Sequence, residues 1–144
     1  MYVAYFDGAC EPNNPGGHMG CGWIIKNTET KEIIDKGHIY FSKRQFNTNN
    51  LAEYRALEKL LIQLDFYNIE NAVIYGDSMM AIKQMKGEYR ILKGVYKPVA
   101  FSCLELIEGK DYTFEWVPRD KNHEADALSK AALRSRNVRL GNHR

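Results

Sequence analysis

At 144 residues, the chain has the length of one domain and can bury a hydrophobic core without disulfide bonds. Hydrophobic residues make up 44% and charged residues 26% of it, which argues against intrinsic disorder. The net charge of +2 does not by itself indicate a nucleic-acid partner, and three cysteines without a signal peptide or long apolar run favour a reduced, soluble, cytoplasmic protein with no membrane segment.

The first part of the chain predicts three strands. Residues 2–6 are a short, apolar, aromatic-rich run typical of a strand buried on both faces, and this run ends at Asp7-Gly8. Residues 9–17 are rich in Pro, Asn and Gly and predict a turn. Residues 20–25 and 33–41 predict two further strands. The short connections imply an antiparallel meander.

Residues 48–64 predict a long helix, because they open with capping-type residues and continue with helix formers and no Gly or Pro. Leu57, Leu60 and Leu64 form its buried stripe. One turn earlier the stripe reaches Glu53, where a carboxylate is costly unless a charged or hydrogen-bonding group meets it. A Glu at a helix end that pairs with an Arg would also explain this position.

The rest of the chain predicts two strands connected by helices. In order, we expect a strand at 72–75, a helix capped by Ser78 and ending at 86, a break at 87–94, a helix at 95–108, a strand at 112–117 and a helix capped by Asn122 and ending near 134. Helix-connected strands added to a meander give a mixed α/β sheet with helices on its faces.

The C-terminus is basic and carries no acid. We expect one domain over residues 1–136 and a flexible tail over residues 137–144. A solvated chain end and a phosphate-binding arm both fit the arginines of this region, which are Arg134, Arg136, Arg139 and Arg144.

Three further carboxylates occupy positions that suit a metal site. Asp7 and Asp77 each follow an apolar run at the carboxyl end of a predicted strand, the edge where open α/β sheets bind ligands. Asp126 lies in the first turn of the last helix, where the helix dipole alone would favour it. Converging carboxylates repel one another unless divalent cations lie among them. Oxygen ligands favour Mg²⁺ or Mn²⁺, and two such ions about 4 Å apart can hydrolyse a phosphodiester.

Five motifs follow one another along the chain. They are Asp7-Gly8-Ala9; the Asn14-Pro15-Gly16 turn with Gly20 and Gly22; the run from Thr48 to Glu53; Gly76-Asp77-Ser78; and the run from Asn122 to Asp126. In order and spacing they resemble the type 1 ribonuclease H family over residues 1–134. The resemblance implies the ribonuclease H-like α/β fold, a mixed five-stranded sheet with strands 1–3 antiparallel and strands 1, 4 and 5 parallel, flanked by helices.

The resemblance also implies a function. Members of the family are endoribonucleases that cleave the RNA strand of RNA–DNA hybrids with two Mg²⁺ ions and leave 5′-phosphate and 3′-hydroxyl ends; Mn²⁺ is a possible substitute. By this resemblance the catalytic and metal-binding residues are Asp7, Glu53, Asp77 and Asp126, and the substrate-binding residues are Asn14, Thr48, Asn49, Asn50 and Ser78. Asn and Thr are also common turn and cap residues, so each has a structural interpretation. We expect a monomer.

Two segments depart from the family pattern. Many members carry a His before the last Asp, but residues 116–122 are short and have none, which leaves His123 or Arg119 as a replacement. Residues 85–99 correspond to the basic, Trp-rich protrusion of some members. They contain no Trp, and their cations are Lys86, Arg90, Lys93 and Lys97. We expect Trp23 and Trp116, which lie in predicted strands, to be core residues.

Two other functions stay open at this point. One is a non-catalytic hybrid-binding module of the same fold. The other is a related nuclease on this fold, such as a reverse-transcriptase-associated domain or a nuclease with a different nucleic-acid target. The four acids disfavour the module, because binding alone does not require carboxylates that repel one another.

Overall fold

The computed structural model describes residues 1–141, which form five strands, four α-helices and one 3₁₀ turn. The strands are β1 (Tyr2–Glu11), β2 (His18–Asn27), β3 (Ile33–Phe41), β4 (Asn71–Gly76) and β5 (Asp111–Trp116). The helices are α1 (Asn49–Phe66), α2 (Met79–Met85), α3 (Lys97–Ile107) and α4 (His123–Arg134), and the 3₁₀ turn spans Arg119–Lys121. Over the described part of the chain, no helix has the length and apolar character needed to cross a membrane.

The strands form a single mixed sheet in the order β3-β2-β1-β4-β5. β1 pairs antiparallel with β2, and β2 antiparallel with β3. β4 runs parallel to both β1 and β5. The predicted fold class and strand directions are therefore confirmed, and the carboxyl ends of β1, β4 and β5 point toward one edge of the sheet.

The first strand is longer than its composition predicts. β1 continues to Glu11, which pairs with His18, so the expectation of a turn at residues 9–11 was wrong. The antiparallel partner supplies hydrogen bonds to this extension, which local residue types do not reveal. As a result, Asp7 lies inside β1 opposite Gly22, whereas Asp77 directly follows β4 as predicted.

Helix α1 is the central element of the core, because it packs against β1, β2 and α3. Its leucine stripe is fully buried, and the Thr48 hydroxyl accepts the Leu51 N–H at 3.0 Å, which confirms the predicted cap. Trp23 is buried, also as predicted. Trp116 is 43% exposed, so its assignment to the core was wrong. It is the last residue of an edge strand, which has no neighbouring strand on one side.

The segment that follows α4 lies against the domain. Val138 is buried with Ala9 and Leu133, and the Gly141 N–H donates to Glu11 Oε1 at 2.9 Å. The predicted boundary at residue 136 and the predicted flexibility of the tail remain predictions. Arg144, like the rest of residues 142–144, lies outside the described residues.

A pair of substitutions on α1 tests the position of the core. Leu60 is fully buried, so we expect Leu60→Ala to lower the free energy of unfolding by about 2–5 kcal/mol. Ile62 is 43% exposed on the same helix, and we expect Ile62→Ala to change it by only about 0.5 kcal/mol. Urea unfolding measures both values. Equal losses in the two variants would contradict the assigned helix face.

Candidate active site

Three carboxylates meet at the edge of the sheet. Asp7, Glu53 and Asp77 each offer an oxygen within 4.8 Å of the others, and we call them the three-acid group. They come from the middle of β1, the first turns of α1 and the residue after β4. The carboxylates of Asp7 and Glu53 are buried, whereas Asp77 is partly buried. Residues far apart in sequence are therefore brought together by the topology of the fold.

A close approach of α1 to β1 places Glu53 beside Asp7. A Cβ atom at Gly8 would lie 2.2 Å from the carbonyl carbon of Ala52, so the helix could not lie this near to any other residue type. The same glycine donates its N–H to Glu53 Oε1 at 2.8 Å. Gly8 thus both admits the helix and orients its carboxylate.

Asn122 connects Asp77 to β1. Its amide nitrogen donates to the Phe6 carbonyl at 2.9 Å and lies 3.4 Å from Asp77 Oδ2. The residue occupies the N-cap position of α4, as predicted, but its side chain makes no capping hydrogen bond. Asn122 is 1% exposed, and its Oδ1 has no hydrogen-bond partner within residues 1–141. The amide side chain is thus used to link two strands of the site.

Asp126 lies on the adjacent helix and is not part of the three-acid group in the region described. Its Oδ1 lies 2.6 Å from Lys130 Nζ. The buried Ser129 hydroxyl lies 2.8 Å from the Asp126 carbonyl oxygen and 3.3 Å from Asp7 Oδ2. The structure therefore brings three of the four predicted acids together and places the fourth on a helix that contacts one of them through Ser129.

Helix α4 reaches this position because β2 presents glycine to it. A Cβ atom at Gly22 would lie 2.6 Å from the Ala125 carbonyl oxygen and from the Ser129 nitrogen. Gly22 is also the residue paired with Asp7. The strand that flanks Asp7 therefore provides the surface on which the Asp126 helix rests.

The carboxylates of the three-acid group are close enough to repel one another. Burial raises the pKa of Glu53 well above its ordinary value, and the charges of Asp7 and Asp77 raise it further. The Gly8 N–H opposes this shift but does not cancel it. The neighbouring Cys21 thiol donates to the Ala52 carbonyl, and burial followed by the charge of Glu53 raises its pKa as well.

The donor set fits a hard divalent cation. The group offers carboxylate oxygens, and among the described residues no His or Cys joins it. Mg²⁺ and Mn²⁺ prefer such oxygens, and a doubly charged ion would remove the repulsion that raises the pKa of Glu53. The residues present are thus compatible with the cation that the sequence predicts.

Four of the predicted substrate-binding residues form hydrogen bonds within the protein. Asn14 Oδ1 accepts the Asn49 N–H at 3.1 Å, and Asn49 Oδ1 accepts the Cys10 N–H at 2.8 Å. Thr48 caps α1, and Ser78 caps α2 by accepting the Ala81 N–H at 3.2 Å. Asn50 is exposed. Structural roles are therefore observed for Asn14, Thr48, Asn49 and Ser78, and the contacts of all five residues with a substrate remain predictions.

Two contacts of the predicted acids were not predicted from the sequence, one between Trp116 and Asp77 and one between Lys130 and Asp126. The indole N–H of Trp116 donates to the Asp77 carbonyl at 3.1 Å, beside the bond from the Val117 N–H to the Gly76 carbonyl at 3.0 Å. An aromatic residue in a strand gave no sign of this contact. The Asp126–Lys130 pair did leave a signal, since residues four apart on a helix lie on the same face.

The exposed cations of residues 85–99 lie in and beside the connection between α2 and α3. Lys86 pairs with Glu88 at 3.2 Å, and Lys97 Nζ lies 5.9 Å from the centre of the Phe101 ring. Arg90 and Lys93 are also exposed. Arg136, from the predicted basic region, places its guanidinium 4.7 Å from the centre of the Tyr40 ring.

Comparison with known proteins identifies similar domains. Residues 5–132 match the family model described as "Reverse transcriptase-like". Ribonuclease HI of Halobacterium salinarum is 31% identical over 131 residues, which are 90% of this chain but only 63% of the relative. The crystal structure of RNase H1 from the same archaeon superposes with a TM-score of 0.82 at 30% identity, covering 93% of this chain and 98% of that one. LC11-RNase H1 in complex with an RNA/DNA hybrid gives a TM-score of 0.83 at 25% identity, covering 94% and 99%.

The raised pKa of Glu53 predicts that its ionisation destabilises the metal-free protein. Because its pKa is higher in the folded than in the unfolded state, the free energy of unfolding falls as the pH rises from the ordinary value of 4.5 through the folded pKa. Glu53→Gln removes the charge but keeps an oxygen for the Gly8 N–H. In EDTA at pH 8 we expect it to raise the melting temperature, by roughly 3 °C per kcal/mol of relieved repulsion.

Glu105→Gln is the matched control, because Glu105 is exposed on α3. We expect the same chemical change there to leave the melting temperature near that of the wild type. A Glu53→Gln protein that melts no higher than the wild type at pH 8, or whose advantage is as large at pH 4, would show that the carboxylates do not repel one another.

Proposed function

Because the chain belongs to the type 1 ribonuclease H family, we propose that it is an endoribonuclease that cleaves the RNA strand of RNA–DNA hybrids. The observation that carries this proposal is the three-acid group at the carboxyl edge of the sheet, with Asp126 on the adjacent helix. A hybrid-bound relative of the same fold supports the substrate class. The expected products carry 5′-phosphate and 3′-hydroxyl ends.

Magnesium is the proposed cofactor, with manganese as a substitute. Asp7, Glu53, Asp77 and Asp126 would hold two ions. When bound, such a pair of cations activates a water for attack on the phosphodiester and stabilises the leaving oxygen. The protein contributes the oriented ligands. The Gly8 N–H donates to the Glu53 carboxylate, the Asn122 amide to the Asp77 carboxylate, and the Trp116 indole to the Asp77 backbone carbonyl.

The edge formed by the β1–β2 turn and the start of α1 is the proposed binding surface for the hybrid. Asn14, Asn49 and Asn50 would contact the minor groove, where 2′-hydroxyls distinguish RNA from DNA. An amide side chain both donates and accepts hydrogen bonds, so Asn49 can bond Cys10 through its oxygen and still donate through its nitrogen. Thr48 and Ser78 would complete this surface.

Arg119 and His123 are both exposed, in the 3₁₀ turn and at the first residue of α4, and either would replace the His that many relatives carry.

The monomeric state and the cytoplasmic location inferred from the sequence remain predictions.

Substitution of Asp7 tests the enzymatic function. Asp7→Asn removes one charge from the three-acid group, and we expect cleavage of a labelled RNA–DNA hybrid with Mg²⁺ to fall by at least about a hundredfold. Loss of an outer-shell partner of a metal ligand already costs up to about a hundredfold, and Asp7 would be a direct ligand. Duplex RNA and duplex DNA should stay intact with both proteins, and EDTA should abolish cleavage by the wild type.

Asp111→Asn is the control for this change, because Asp111 is exposed at the first residue of β5, the opposite end from the site. It should cleave at the wild-type rate. A wild-type protein that binds the hybrid but cleaves nothing with Mg²⁺ or Mn²⁺ would instead be the non-catalytic binding module.

A salt titration tests the role of the α2–α3 connection in binding. If Arg90 and Lys93 each contact a phosphate, the double variant Arg90→Gln/Lys93→Gln should reduce the slope of log affinity against log salt by about 1.8, or about 0.9 per contact. Binding is measured in EDTA so that the hybrid stays intact. Lys31→Gln/Lys36→Gln is the control, since these exposed lysines lie in the β2–β3 connection and on β3. Equal slopes in wild type and both variants would remove this proposal.

A further inference from the structure

The ion pair between Asp126 and Lys130 is unusually enclosed for a helix-surface pair. Lys130 Nζ lies 2.6 Å from Asp126 Oδ1, and the two side chains are 14% and 24% exposed. By contrast, Lys86 and Glu88 are 36% and 45% exposed. An ion pair this enclosed is screened less by solvent than an exposed pair, so the attraction between the ammonium and the carboxylate is stronger.

The pair lies on α4 beside the residue that contacts Asp7. Asp126 and Lys130 flank Ser129, whose buried hydroxyl lies 3.3 Å from Asp7 Oδ2. The Asp126 carboxylate nonetheless stands outside the three-acid group, with Lys130 on its Oδ1. The structure thus places a protein cation on the one predicted metal ligand that is separate from the other three.

A divalent cation that takes Asp126 as a ligand must displace the Lys130 ammonium or share the carboxylate with it. Sharing brings two positive charges close together, and displacement breaks the ion pair between Asp126 and Lys130. Both routes cost binding free energy at this site. At the three-acid group, by contrast, a cation binds among three carboxylates that otherwise repel one another.

We propose that Lys130 is a positioning residue that holds Asp126 in the metal-free protein and weakens the binding of a cation to it. The inference rests on the proposed function, because it takes Asp126 as a metal ligand. Its consequence is an order of filling: a first ion binds the three-acid group, and a second binds at Asp126 only at a higher metal concentration, as Lys130 is displaced.

A purely structural role for the pair makes a different prediction. An acid four residues before a lysine also stabilises a helix. If that were its only role, removing the ammonium would lower the melting temperature and leave metal affinity unchanged. Metal affinity and thermal stability therefore separate the two roles.

Calorimetric titration of the full chain with Mn²⁺, without nucleic acid, is the test. We expect the weaker binding event to become about three- to fivefold tighter in Lys130→Gln, a change typical of removing a competing ion pair. Lys130→Arg keeps the charge and should bind as the wild type does. Lys130→Met, which is uncharged and of similar length, should behave as Lys130→Gln and serves if that variant is poorly folded.

Lys110→Gln is the control, because Lys110 is about as enclosed as Lys130, although its partner Asp65 is 61% exposed. Lys110 Nζ lies 2.7 Å from Asp65 Oδ1, and its side chain is 16% exposed. It directly precedes β5, at the opposite end of the parallel strands from the three-acid group. Loss of this ion pair should leave both metal affinities unchanged.

The outcomes distinguish this inference from the proposed function. Unchanged or weaker second-site binding in Lys130→Gln and Lys130→Met overturns the inference and leaves the nuclease proposal intact. A wild-type protein that binds no divalent cation overturns both. Tighter second-site binding in a protein that cleaves no hybrid supports the role of Lys130 and overturns the nuclease proposal.

Discussion

Electrostatic repulsion among the acids at one edge of the sheet is the constraint on which the site depends. Like charges at this distance are tolerated only when a proton or a cation neutralises them, and the raised pKa of Glu53 shows the protonated alternative. The folded chain therefore stores an unfavourable interaction that a metal would relieve. Stability and metal affinity are coupled through the same few oxygens.

The scaffold that imposes this repulsion depends on small residues and one amide. Gly8 allows α1 to approach β1, and Gly22 allows α4 to rest on β2. Asn122 then links β1 to Asp77. At both glycines the absence of a side chain lets a helix backbone lie directly against a strand backbone, and these backbone contacts position the acids. Such segments adjust little when a side chain changes.

Local sequence patterns predicted the helices and strands, whereas the length of β1, the exposure of Trp116 and the meeting of the acids depend on how the strands are arranged in the sheet. The cap at Thr48 and the leucine spacing predicted α1 correctly, because both signals lie within a few residues of one another. The extension of β1 to Glu11 escaped prediction, since it depends on a partner strand. Trp116 was misassigned for the same kind of reason: its exposure follows from the order of strands in the sheet. The convergence of acids was inferred by resemblance, and only the folded chain shows which three meet.

The contrast between the two tryptophans has a spectroscopic consequence. Trp23 is 5% exposed and hydrogen-bonds Asp35, whereas Trp116 is 43% exposed and bonded to the backbone of Asp77. Indole emission shifts to longer wavelength in contact with water, so the red part of the fluorescence spectrum arises mainly from Trp116. The chain thus contains an intrinsic optical probe beside its acidic edge, with a second fluorophore in the core as an internal reference.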